Sequence, residues 1–332
     1  MPGRMPSERL FELASYARRG PGQRDSLSPG EIAQVARTVR RTPEVMVKVL
    51  SRGGQNLKAV SRHLDYLRLR DEGELELETD DGQRLTGDNA TQELVESWDL
   101  DLEEHRHRSE LDARGGGSKK LVHKLLFSMP AGTPPDKVLA AVENFAREEF
   151  GLKHRYAMVL HTDEPHPHVH VVLKAVSEQG VRLHIRKATW RDWRGGFADH
   201  LRNLGVEANA TARAIRGATQ PRKLDGIYRS MHERQSSTHM QKKIESVSAE
   251  LLDGGLRREA GKAQLDSTRK EVELGWRAIA DILVSQGQPE LAAQTRHFLD
   301  QMPRALTERE QIAELLPNQA RKQNRIIDHR SR

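Results

Sequence analysis

The sequence predicts an α/β sandwich: a largely antiparallel sheet of about five strands flanked by helices, followed by a helical C-terminal region. Over residues 43–219, short valine-rich runs alternate with amphipathic stretches, and several of the runs come in pairs joined by short turns. Paired strands of this kind argue for antiparallel neighbours and against repeated βαβ units. From about Gln220 onward, strand patterning stops and helical patterning takes over. At 332 residues the chain exceeds the usual single domain. The expected division is a basic N-terminal extension over 1–42, an α/β domain over 43–219, a helical region over 220–318 and a disordered basic tail over 319–332.

The elements follow from local signals. SPGEIAQVARTVRR reads as one short helix within the N-terminal extension, and Pro43 to Ser51 (PEVMVKVLS) reads as a first buried strand. In QNLKAVSRHLDYLRLRD, Leu57, Val60, Leu64 and Leu67 recur at helical spacing. ELELETDDGQRLTG is a hairpin turning at Asp81-Gly82. Residues 89–112 read as a charged helix ending in a glycine-rich stretch, and LVHKLLFSMP resumes as a strand. Thr133 to Phe150 is an amphipathic helix with proline near its start, where it is tolerated. HRYAMVLH and HVHVVLKAV are strands joined by TDEPHP, and a helix follows from about Lys187 to Leu204. Helical stretches around Met240 to Leu256 and Glu271 to Ser285 make up the C-terminal region.

Composition narrows the chemistry. With no cysteine, thiolate metal sites, cysteine nucleophiles and disulfides are all excluded, which fits a reducing cytoplasm. No run approaches the roughly 20 apolar residues of a membrane span, so no membrane insertion is expected. The formal charge of +6 is a mild lean toward a polyanionic partner. Local basic clusters carry more weight than that net value.

The strongest chemical signal is HTDEPHPHVH, with histidines at 161, 166, 168 and 170. Residues two apart on a strand share a face, so His168 and His170 project together and the hairpin returns His161 beside them. Three imidazoles from two adjacent strands make a divalent-cation site with positions left open for substrate oxygens or water. His166, between two prolines, is a doubtful fourth ligand. A cupin site would want a glutamate a few residues on, where VVLKA stands instead. A structural zinc site would want cysteines.

The run HTDEPHPHVHVVLKA resembles the third motif of plasmid mobilisation relaxases of the P clade, within the HUH endonuclease superfamily, with Val169 as the hydrophobic U. LVHKLLFSMPAGT resembles the second motif around Ser128, and the likeness extends from about Pro43 to Gly217. The resemblance implies a conjugative relaxase that nicks one DNA strand at an origin of transfer and can rejoin it. It also implies a tyrosine nucleophile on the helix after the first strand, where Tyr66 stands, and a divalent metal, Mg²⁺ or Mn²⁺, on His161, His168 and His170. The implied partners are single-stranded DNA, accessory relaxosome proteins and a type IV secretion coupling protein. The implied location is the bacterial cytoplasm, with transfer to the recipient cell on the DNA.

Helix geometry tests the tyrosine separately. At about 100° per residue, Tyr66 lies roughly 140° from the mean direction of the apolar stripe, between Arg62 and Arg70 at four residues on either side. A tyrosine titrates near 10 and needs charge stabilisation to attack a phosphodiester. Tyr156 reads instead as a core residue. Asp65 and Asp163 are candidates to orient a histidine or accept a proton. Tyr228 is the rival nucleophile of a replication initiator, and a metal-dependent DNA-binding protein without catalysis is a further alternative. For DNA contacts, HIRKATWRDWR interleaves Arg186, Lys187, Arg191 and Arg194 with Trp190 and Trp193, a pattern suited to a single strand, although Trp193 reads better as packing. Lys119 and Lys120 are further phosphate contacts of low specificity.

Overall fold

The computed structural model describes residues 24–50, 54–69, 75–106, 119–218 and 238–316. Arg70, Tyr228 and the basic tail lie outside them. The chain divides into two compact units: one takes Arg40–Ala210, and the other joins the stretch ending at Val39 to the residues from Thr211 onward. In chain order, the elements up to the middle of the first unit are α1 (Pro29–Val39), β1 (Met46–Leu50), α2 (Leu57–Arg68), β2 (Leu77–Thr79), β3 (Arg84–Leu85) and α3 (Ala90–Ser97). There follow β4 (Val122–Ser128), α4 (Pro135–Phe150), β5 (Tyr156–His161), β6 (His168–Lys174) and α5 (Lys187–Asn203). The later elements are α6 (Thr238–Leu252), α7 (Lys262–Ser285) and α8 (Pro289–Asp300). The mixed α/β architecture and the helical C-terminal region are those the sequence predicts.

The sheet of the first unit has the order β1-β4-β6-β5-β2-β3, with every pairing antiparallel. It holds six strands where about five were expected, because both arms of the Asp81-Gly82 hairpin join it. The hairpin turn places Gly82 at a φ of 79°, which a residue without Cβ adopts without strain. At the centre of the sheet β4 and β6 pair from Val122↔Lys174 to Ser128↔His168, and β5 and β6 pair from Tyr156↔Leu173 to His161↔His168. The three strands are therefore in register at the end where the histidines lie.

Each face of the sheet is covered by its own helices. Val47, Leu125, Phe127, Val169, Val171 and Leu173 point to the side packed by Val142, Phe145 and Ala146 of α4 and Trp193, Phe197 and Leu201 of α5. On the other side Ala157, Val159 and Val172 meet Val60, Leu64 and Leu67 of α2 and Leu94 and Val95 of α3. The apolar stripe read from α2 is thus its buried face. Asn56 caps that helix by accepting the Ala59 N–H at 2.8 Å. Just before it, Gly54 accepts the Leu121 N–H at 2.6 Å, and a Cβ at Gly54 would stand 2.4 Å from the Val122 carbonyl oxygen. This close approach ties the start of α2 to the start of β4 and aims the helix along the sheet toward its histidine end.

In the second unit Trp276 of α7 is fully buried against Phe298 of α8 and donates its indole N–H to the Ile215 carbonyl at 2.8 Å. The Gln286 side chain holds both the N–H and the carbonyl of Leu27 at 3.0 Å, which fixes the approach to α1. No helix among the described residues is long and apolar enough to cross a membrane.

Candidate active site and metal centre

Strand alternation decides which side chains meet. Along β6, Val169, Val171 and Leu173 belong to the α4/α5 side, so His168 and His170 face α2. His161, directly across from His168 at the end of β5, faces the same way. All three are buried, and one ligand nitrogen from each lies within 4.8 Å of the others. Their ring centroids are 4.9 to 5.4 Å apart. His166 is exposed in the connecting turn and outside this group.

Two backbone carbonyls set the ring tautomers, because a carbonyl can only accept. His161 donates from Nε2 to the Leu67 carbonyl at 3.0 Å, one of the last carbonyls of α2 and so without an intrahelical partner. His168 donates from Nδ1 to the His166 carbonyl at 3.0 Å. Lone pairs are thereby left on His161 Nδ1 and His168 Nε2. Fixing one ring nitrogen as donor so that the other can ligate is the usual support of a histidine metal ligand. These two lone pairs, with the His170 ring beside them, make a nitrogen donor set that fits a divalent transition ion. Asp163 lies beside the cluster, with Oδ1 3.9 Å from His168 Nε2.

Tyr66 is 45% exposed on α2, off the apolar stripe, and Arg62 is exposed one turn before it. Between Tyr66 and the cluster stands His63, which the sequence reading passed over. Its ring stacks on Tyr66 with centroids 6.5 Å apart and planes 17° from parallel, and it meets His170 edge-on at 6.3 Å. Burial, together with the nearby Lys124 and His161, lowers the His63 pKa to about 4, so the ring is neutral at physiological pH. Its Nε2 is buried with no hydrogen-bond partner among the described residues. The available signal was positional: His63 precedes Tyr66 by three residues, hence the same helical face.

The remaining candidates scatter. Ser128 is buried on the histidine face, paired across the ladder with His168. Asp65 accepts the Thr91 hydroxyl at 2.6 Å, which engages it with α3. Lys119 and Lys120 precede β4 at the end of the sheet away from His168, beyond Val122, which is itself roughly 20 Å along the strand from the Ser128 that pairs with His168. Arg186, Lys187, Trp190, Arg191 and Arg194 lie on or just before α5, which packs the opposite face. There Trp190 is 41% exposed, while Trp193 is buried and donates to Glu149 at 3.2 Å. The structure does not bring these basic residues to the histidines. Tyr156 is buried in the core.

Residues 70–202 match the family described as relaxase, MobA/VirD2-like, nuclease domain. The match spans β4, β5 and β6 with all three histidines, and Tyr66 lies just before it. The T-DNA border endonuclease VirD2 of Rhizobium radiobacter is 24% identical over 188 residues, covering 53% of this chain and 44% of that protein. The namesake from Agrobacterium fabrum is 25% identical over 188 residues, covering 53% and 41%, and that from Rhizobium rhizogenes 26% over 185 residues, covering 52% and 42%. The matched region spans under half the length of these relatives. Family match, relatives and the His168-Val169-His170 strand agree in supporting, over residues 70–202, a relaxase nuclease domain similar to the MobA/VirD2-like family, of the HUH type.

Proposed function

We propose that the chain is a conjugative relaxase that nicks one DNA strand at an origin of transfer by tyrosine transesterification. The observation that carries this reading is the contact path from Tyr66 through His63 to His170, on the face where His161 and His168 complete the cluster. The relatives' named role, that of a T-DNA border endonuclease, supports DNA cutting as the reaction class.

In this mechanism the Tyr66 oxygen attacks the scissile phosphorus, forming a P–O bond as the bond to the 3′ oxygen breaks. Tyr66 retains the 5′-phosphoryl end, and the 3′ oxygen leaves as a hydroxyl after taking a proton. One phosphodiester replaces another, so the reverse attack by the 3′-hydroxyl rejoins the strand. His161, His168 and His170 would hold a divalent ion whose contribution is to stabilise negative charge developing on a non-bridging phosphate oxygen. Their all-nitrogen donor set favours Mn²⁺ over Mg²⁺, which prefers oxygen ligands. Asp163, beside His168, is positioned to orient that ring or to take up a proton. Such a nuclease would meet accessory relaxosome proteins and a type IV secretion coupling protein in the bacterial cytoplasm, and would travel with its DNA to the recipient.

The test is covalent capture. Labelled origin-of-transfer single strand with Mn²⁺ should yield a protein–DNA adduct that chelation abolishes and Tyr66→Phe eliminates. An adduct that persists in Tyr66→Phe and disappears in Tyr228→Phe would transfer the role to Tyr228, as in a replication initiator. DNA binding with no adduct under any divalent ion would leave a binding protein only.

A further inference from the structure

We propose that Lys124 is a phosphate-binding residue of this site, holding the phosphodiester next to the scissile one on the histidine face of β4. The inference rests on the single-strand nicking reading above. On β4, Leu125 and Phe127 point to the α4/α5 core, so Lys124, Leu126 and Ser128 face the histidine side. Leu126 is opposite His170, and Ser128 is opposite His168. Lys124 is one pleat further along, about 7 Å beyond the level of His170. A phosphate gripped there is a neighbour of the one at the histidines.

Two features separate Lys124 from an ordinary surface lysine. It is only 6% exposed, and among the described residues no carboxylate offsets its charge. Burial, and after it repulsion from the nearby Lys120, brings its pKa down to about 8. It therefore remains mostly protonated at neutral pH. A buried cation without an anion is costly to fold around, and such groups gather where a ligand supplies the missing charge.

On its β1 side Lys124 is not bordered by the apolar cluster. Across the ladder, β1 pairs Lys48 with Leu126 and Leu50 with Lys124, so both β1 side chains share the histidine face. No β1 residue belongs to the apolar cluster beneath α2 and α3. Lys48 is exposed there, a second cation beside the first. The face that begins at the histidines thus continues over β4 and β1 as a basic strip suited to a polyanionic strand.

The experiment measures binding rather than cleavage, using the full chain and a labelled mixed-sequence single-stranded oligonucleotide. Lys124→Met should weaken binding about tenfold and reduce the slope of log affinity against log salt by about 0.7, the amount for one lost phosphate contact on a single strand. Lys124→Arg should retain most of both. Without DNA, Lys124→Met should melt at or above the wild-type temperature, since an uncompensated charge has been removed. Unchanged affinity and slope in Lys124→Met would overturn the proposal. A lowered melting temperature with equal loss of binding in Lys124→Arg would also overturn it, by making the role structural. Wild-type protein that binds the strand but forms no adduct would sink the nicking reading and leave the phosphate grip standing, whereas failure of the wild type to bind at all would sink both.

Discussion

The two faces of the central sheet are built from the same strands, yet they do opposite things. Every residue of β6 is buried. On one face Val169, Val171 and Leu173 enter an apolar cluster that runs unbroken across α4 and α5. On the other, Val172 enters an apolar cluster under α2 and α3, while His168 and His170 stand at the sheet's end beside His161. One face spends its burial on stability. The other uses α2 and α3 to dry and position imidazoles that an exposed strand would leave mobile. A strand with period-two alternation can thus be structural and chemical at once, with side-chain parity separating the roles.

The sharpest way to break that comparison is to damage each face in turn. His170→Ala should cut adduct formation by about 10³-fold, the scale of losing one preorganised electrostatic stabiliser. Its melting temperature should move little, because the cluster's apolar surroundings remain. Phe127→Ala on the opposite face should do the reverse, costing about 3–5 kcal/mol of stability through the cavity left against Phe145 and Phe197. Adduct formation by its folded fraction should survive. Denaturant melts and the adduct assay on both variants check this, and a His170→Ala protein that unfolds while Phe127→Ala loses chemistry would dissolve the division between the faces.

How much of this was legible in the sequence follows from the range of each signal. The parity of His168 and His170 and the position of His161 across a short turn are local patterns, and the structure brings together those same three rings. Tyr66 could be placed off the apolar stripe of α2 for the same reason. What no single element shows is which helix covers which face. The basic run around Trp190 had the composition of a nucleic-acid contact, but α5 packs on the α4 side of the sheet. His63 and Lys124 each looked like an ordinary residue of its own element, and they gain significance only because α2 lies along the β4/β6 ladder. Their proximity is tertiary, so neither helical nor strand periodicity could reveal it.

A lone histidine on the apolar face sharpens the contrast through pH. His123 shares the parity of Leu125 and Phe127 and donates from Nε2 to the Leu183 carbonyl at 3.2 Å. Burial first, then the charge of Lys120, pushes its pKa down to about 4; the hydrogen bond to Leu183 works against that shift, and the charge of Arg182 adds to it. In the unfolded chain it titrates near 6.5. As pH falls below that value the unfolded state takes up a proton that the folded state refuses, so stability is lost progressively between about pH 6.5 and 4. The contribution is about 2 kcal/mol by pH 5. His123→Gln keeps a donor and removes the titration, so urea melts at pH 7 and pH 5 should show a smaller drop than in wild type. An equal drop in both proteins would show that His123 is not held neutral by the fold.

The smallest expected effect concerns His166, the histidine the cluster leaves out. Its side chain is exposed, and what reaches the site is its backbone carbonyl, which accepts from His168 Nδ1. Any residue at 166 supplies that oxygen, provided the Pro165 and Pro167 turn keeps its shape. His166→Ala should therefore stay within about 0.5 kcal/mol of wild-type stability and form adduct at close to the wild-type rate. A loss approaching that of His170→Ala would mean that the imidazole swings inward when DNA and metal bind, making the ligand set four. The same turn would then have to move as a unit, because the carbonyl that fixes His168 and the ring that joined it belong to one residue.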